Sequence, residues 1–157
     1  MKDISSSLFL PRGIRNNNPG NIRLSGVKWQ GQKPQQEDVS FVEFTAPVFG
    51  LRALMRLMLT YHIKYRLDTI ESIINRFAPP YENATDHYIF SVAKRMGVGR
   101  GVVVDVTAKH VLTGLARAIT LHENGRPPVG RPPCWYDNGV YDAAATLALN
   151  EQKGKTP

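Results

Sequence analysis

Apolar residues in this chain recur at two periods, and the change between them divides it. From Val39 to Phe44 they alternate: Val39, Phe41 and Glu43 share one face, and Ser40, Val42 and Phe44 the other. Asn21 to Leu24 and Val27 to Trp29 form short extended stretches around a Ser25-Gly26 turn. This predicts a small, irregular antiparallel sheet over residues 21–44. After Thr45 the period becomes helical. Leu51, Leu54, Met55, Met58 and Leu59 form the stripe of a helix capped by Thr45, with Pro47 in its first turn and an end near His62; Arg52 and Arg56 lie off that stripe. Further helices are predicted from Ile70 to Ala78 after Asp68-Thr69, from about Thr85 to Met96 before Gly97, from Thr107 to Gly125, and from Tyr136 to Asn150. Val102 to Val106 reads as short and extended. The fold class is therefore α+β and mainly α.

The helix before Gly125 has both ends marked: Thr107 can cap its start, and Gly125 can turn the chain just past its end. Leu112, Ala116 and Ile119 lie in one row, widened by Val111, Leu115 and Ala118, and the next step of that row is Glu123. A carboxylate thus stands in line with a buried stripe at the negative end of the helix dipole. Burial and the dipole both disfavour its charged form, which suits a general acid.

Length and composition narrow the class. At 157 residues, with 42% hydrophobic and 21% charged residues, the chain is expected to form a single domain over 12–150. Residues 1–11 read as an arm, 126–135 as a Pro/Gly/Arg connector before the last helix, and 151–157 as a loose tail. No apolar run is long enough to span a membrane, and the N-terminus lacks the order of a signal peptide. One cysteine precludes an intramolecular disulfide, and four scattered histidines predict no metal and no cofactor. The net charge of +7 points to an acidic partner: nucleic acid, a membrane surface or cell wall. The basic residues form no dense tract and no nucleic-acid motif, which counts against the first.

The string Arg12 to Arg23, RGIRNNNPGNIR, is dense in turn chemistry. It carries a resemblance. With Trp29-Gln30-Gly31, Phe41 to Phe44, Gly50 to Leu54, Ala78 to Tyr88 and His122 to Gly125, it resembles a family of phage and prophage proteins labelled structural or virion proteins, over Arg12 to about Pro128. More distantly, Asn18 to Tyr88 resembles the flagellum-associated N-acetylglucosaminidases of the lysozyme-like superfamily. In those enzymes the catalytic glutamate precedes this block, in E-S-G at a helix end. Here the similar element, Glu123-Asn124-Gly125, follows it, as in a circular permutation.

The resemblances imply a lysozyme-like helical domain with a small antiparallel sheet, and a phage-encoded enzyme cleaving the glycan strand of peptidoglycan. It would be a muramidase, a glucosaminidase or a lytic transglycosylase. The alternative is a non-catalytic virion or tail protein that keeps such a fold. Glu123 is the leading catalytic residue, Glu82 the second and Asp38 a third; glycoside hydrolysis commonly needs two carboxylates, whereas a transglycosylase can use one. Asn17, Asn18, Asn21, Trp29 and Tyr88 are the candidate substrate-binding residues. Each has an ordinary alternative: the asparagines hold their own turn, and Trp29 and Tyr88 pack. The partners implied are bacterial peptidoglycan and other phage virion or tail proteins, and the location is the virion, or the host cytoplasm with action at the cell wall.

Overall fold

The computed structural model describes residues 10–151. The expected 151–157 tail lies outside them except for its first residue, as does the N-terminal arm up to residue 9. The described residues form six helices: α1 (Arg12–Arg15), α2 (Pro47–Tyr65), α3 (Ile70–Phe77), α4 (Thr85–Met96), α5 (Lys109–Asn124) and α6 (Asn138–Glu151).

The central element is α2, which packs against α3, α5 and α6. Its predicted stripe is buried as a unit, from Leu51 to Leu59. Arg52, expected off the stripe, is also fully buried. The reason is α6: Tyr141, Ala144, Ala145 and Ala148 recur at helical spacing and are fully buried. Their small side chains let that helix close over the flank of α2. Arg56 Nη1 donates to the Ala148 carbonyl at 3.1 Å, tying the two helices together. Burial, and then the neighbouring Arg56, hold the Arg52 guanidinium down to about 10.

The remaining helices lie close to their predicted bounds: α4 runs over Thr85–Met96 as expected, and α3 stops one residue short of Ala78. Thr69 and Ser72 form a capping box that starts α3. Gly97 ends α4 in the left-handed region, with φ of 70°. Thr45 does not cap α2, whose N-cap is Ala46, and Thr107 does not cap α5. Thr107 instead donates its hydroxyl to Asp105, so that α5 begins two residues later.

The expected sheet is absent. Among the described residues the region 21–44 holds no strand, only isolated antiparallel bridges, Arg23 with Phe41 and Gln32 with Phe44. This overturns the α+β assignment, while the mainly helical part of it stands. Alternation predicted burial in part: Val42 and Phe44 face the core and Val39 is exposed, but Glu43, on the Val39 face, is buried as well. The alternating segment did not extend into a ladder because side chains take several of the ladder's partners, the Ile22 N–H and the Val42 carbonyl among them. Asn18 Nδ2 donates to the carbonyls of Ile22 and Val42, and its Oδ1 accepts from Ile22 N. Gln36 brackets Glu43, accepting from its N–H and donating to its carbonyl. Asp38 accepts the N–H of Phe41. The buried backbone is satisfied by these side chains together with scattered cross-segment bonds, such as Leu24 N to the Ser40 carbonyl and Val42 N to the Ile22 carbonyl.

Candidate functional site

The cleft that matters lies between this irregular segment and the helices. It has a volume of about 390 Å³, and its walls include Asn21, Arg23, Phe41, Tyr61, Glu82 and Glu123. The row Leu112, Ala116 and Ile119 is fully buried, and α5 ends at Asn124, so Glu123 emerges from the core in the last turn, half-buried. Gly125 ends the helix at φ 75° and ψ −174°, a conformation open to glycine alone. Trp135 Nε1 then donates to the Gly125 carbonyl at 2.8 Å and pins the exit.

Glu123 is held from the opposite wall. Asn21 Nδ2 donates to Glu123 Oε1 at 2.8 Å. Asn21 sits at φ 50°, a left-handed backbone that asparagine tolerates better than most residues. The neighbouring Asn124 donates to the Pro19 carbonyl at 2.8 Å and to the Thr120 carbonyl at 2.9 Å. The asparagine-rich turn is thus bolted to the end of α5 twice, by consecutive residues. Gly13 of α1 closes the junction: a Cβ there would stand 2.6 Å from Asn124 Oδ1, 2.8 Å from the Asn18 carbonyl oxygen and 2.9 Å from Asn21 Oδ1.

Behind Glu123 lies Tyr88, almost fully buried. Burial first, and then the Glu123 charge, push its phenol well above the usual tyrosine range. Its hydroxyl lies close enough to feel that carboxylate but makes no hydrogen bond of standard geometry. The ring stacks on His122, with centroids 3.7 Å apart. Burial, and then His87 and Arg95, hold the His122 imidazole below its ordinary value, so it stays neutral near pH 7.

The sequence-derived candidates separate. Glu123, Glu82 and Asn21 line the cleft together, and Tyr88 stands behind Glu123. Asp38 does not line it: Arg12 grips both of its oxygens at 2.6 and 2.7 Å, and Asn16 and the N–H groups of Ser40 and Phe41 add to them. Those donors hold Asp38 far below the usual carboxylate range, so it cannot supply a proton. Asn18 is fully buried in backbone pairing, and Asn17 donates to the Phe44 carbonyl; both hold the turn rather than offer amides to a ligand. Trp29 packs against the core and is absent from the cleft walls. Glu82 is exposed at the cleft edge, in the turn before α4. Among the described residues no group of three or more His, Cys, Asp or Glu side chains is placed to hold a metal.

Sequence reasoning missed Arg23, Tyr61 and Asn83 as cleft residues, Asn124 as a bolt, and Gly13 as the point of closest approach. Asn124 had one available signal: it lies one turn after Thr120, whose carbonyl it caps.

No family model matches the chain. It is similar to Protein P5 of Pseudoalteromonas phage PM2, with 47% identity over 92 residues, 57% of this chain and 58% of that protein. The match thus spans little more than half of the phage protein's length. It supports the phage side of the resemblance drawn from the sequence. No helix among the described residues is long and apolar enough to cross a membrane.

Proposed function

We propose that the cleft is a glycan-cleaving site, that its substrate is the peptidoglycan strand, and that Glu123 is the general acid. One observation carries this reading: a carboxylate in phase with a helix's buried row opens into a cleft, fixed by Asn21, with a second carboxylate, Glu82, on the same cleft. Glu123 would protonate the glycosidic oxygen as the C–O bond breaks, leaving an oxocarbenium-like sugar. Glu82 would activate the water that captures it; in a transglycosylase the substrate's own hydroxyl or N-acetyl group takes that part. The resemblance of Asn18 to Tyr88 to N-acetylglucosaminidases points the same way. The protein would act from a virion or a host cell at the wall, beside other phage proteins.

The test is turbidity loss of purified peptidoglycan. Glu123→Gln keeps the size of the side chain and removes the proton, so clearing should fall by about 10²–10⁴ with circular dichroism unchanged. Glu82→Gln should cost less. A variant at Glu123 that clears like wild type overturns the assignment. The second reading is a non-catalytic virion or tail protein using the cleft to bind, which the similarity to a phage protein favours. An inactive wild type that still sediments with cell walls would establish it.

A further inference from the structure

Two carboxylates, Glu82 and Glu123, line the cleft, yet two guanidinium groups held on aromatic rings stand at or beside it: Arg23 on its wall, and Arg76 outside the lining next to the cleft residue Tyr61. On one wall Phe41 lies under two guanidinium groups, Arg12 at 4.6 Å and Arg23 at 5.2 Å from its centroid. Arg12 is committed to Asp38. Arg23, exposed and itself on the cleft wall, is not within ion-pair distance of a carboxylate among the described residues. Arg76, which does not itself line the cleft, lies 3.7 Å from the Tyr65 centroid and 5.3 Å from that of Tyr61, which does. Arg76 is likewise exposed with no carboxylate partner among the described residues. Ring stacking limits the freedom of each guanidinium and leaves its donor fork for a planar anion.

We infer that Arg23 and Arg76 are specificity residues that bind carboxylates carried on side groups of the glycan, so that the cleft selects an acidic glycan over a neutral one. This rests on the glycan reading above and deepens it. The placement of charge decides the ligand class. A nucleic acid carries its charge along the backbone and would lay phosphates across Glu82 and Glu123. A peptidoglycan strand has an uncharged sugar backbone and carries its carboxylates on lactyl-linked peptides. Its sugars can lie along Glu82 and Glu123 while its side groups reach the two arginines.

The test uses the Glu123→Gln protein, which leaves the polymer intact, in sedimentation binding at about 50 mM salt. Three probes are compared: purified peptidoglycan, the same material with its carboxyl groups amidated, and neutral chitin. Binding to native peptidoglycan should be roughly tenfold tighter than to either of the others, as expected for two oriented but exposed charge contacts. Adding Arg23→Gln and Arg76→Gln should remove most of that advantage and change chitin binding far less. Arg23→Lys with Arg76→Lys should restore part of it, and melting curves verify folding.

Equal binding of native and amidated polymer, or a double Gln variant that keeps the advantage, overturns the inference. So does a single-stranded oligonucleotide bound more tightly than native peptidoglycan. If wild type clears peptidoglycan while the arginines prove irrelevant, only the inference falls. If wild type neither clears nor binds it, the glycan reading falls and takes the inference with it.

Discussion

Asp38 and Glu123 are both carboxylates bonded to an asparagine of the same turn, and their surroundings are opposite. Asp38 accepts from Arg12 through two nitrogens, from Asn16, and from two backbone N–H groups. Glu123 accepts from Asn21 at 2.8 Å, with the Tyr88 hydroxyl close behind it and the cleft in front, and has no cationic partner among the described residues. A saturated carboxylate is fixed as an anion and serves the fold, because every lone pair that could receive a proton is already taken. An unsaturated one at a cleft keeps room for a ligand atom and can exchange a proton with it. Glu43 falls on the structural side too, since it accepts the N–H groups of Glu37 and Asp38. Bond saturation therefore sorts the acids of this protein more sharply than their positions along the chain.

The strongest way to break the contrast is to neutralise both acids. Glu123→Gln should remove about 10²–10⁴ of the rate and leave the melting temperature unchanged or higher, because a partly buried charge is lost. Asp38→Asn should do the reverse, keeping turnover within about twofold of wild type, as a group outside the cleft should, while lowering Tm by several degrees.

Gly13→Ala tests whether the two regions are mechanically joined. The added methyl meets one backbone oxygen and two side-chain oxygens at once, so the turn must move away from α5. Thermal or urea unfolding should show a loss of about 1–3 kcal/mol, and clearing should fall with it. A Gly13→Ala protein with normal stability and activity would separate α1 from the site.

Asn21→Gly is milder. It keeps the positive φ and deletes the amide that holds Glu123. Clearing should fall roughly tenfold with little change in Tm, reflecting a less well-positioned acid. An unaltered rate would mean that Glu123 positions itself.

The smallest effect is in acid. The folded-state pKa of Asp38 is depressed, chiefly by its bonds to Arg12. Its stabilising contribution is therefore fully present above the unfolded-state value of about 4, and is lost as pH falls toward the lower folded value. Wild type should lose stability below about pH 4 more steeply than Asp38→Asn does. Parallel acid-unfolding curves for the two proteins would show that the Arg12 pairing is not retained in solution.

What the sequence by itself determined was local. The stripes of α2 and α5, the Thr69 start, the Gly97 and Gly125 stops and the in-phase position of Glu123 depend on spacing and on caps within a few residues of each other. Tertiary structure decided the rest. Alternation over 39–44 marks Val42 and Phe44 as buried but misses Glu43, and a ladder needs free backbone partners, several of which Asn18, Gln36 and Asp38 had taken. The burial of Arg52 required α6, nearly ninety positions away. The sorting of Glu123 from Asp38 depended on Asn21 and Arg12, which lie 102 and 26 residues from their partners. A carboxylate's chemistry is set by the donors and charges around it, and chain folding brings those together from distances that no local pattern encodes.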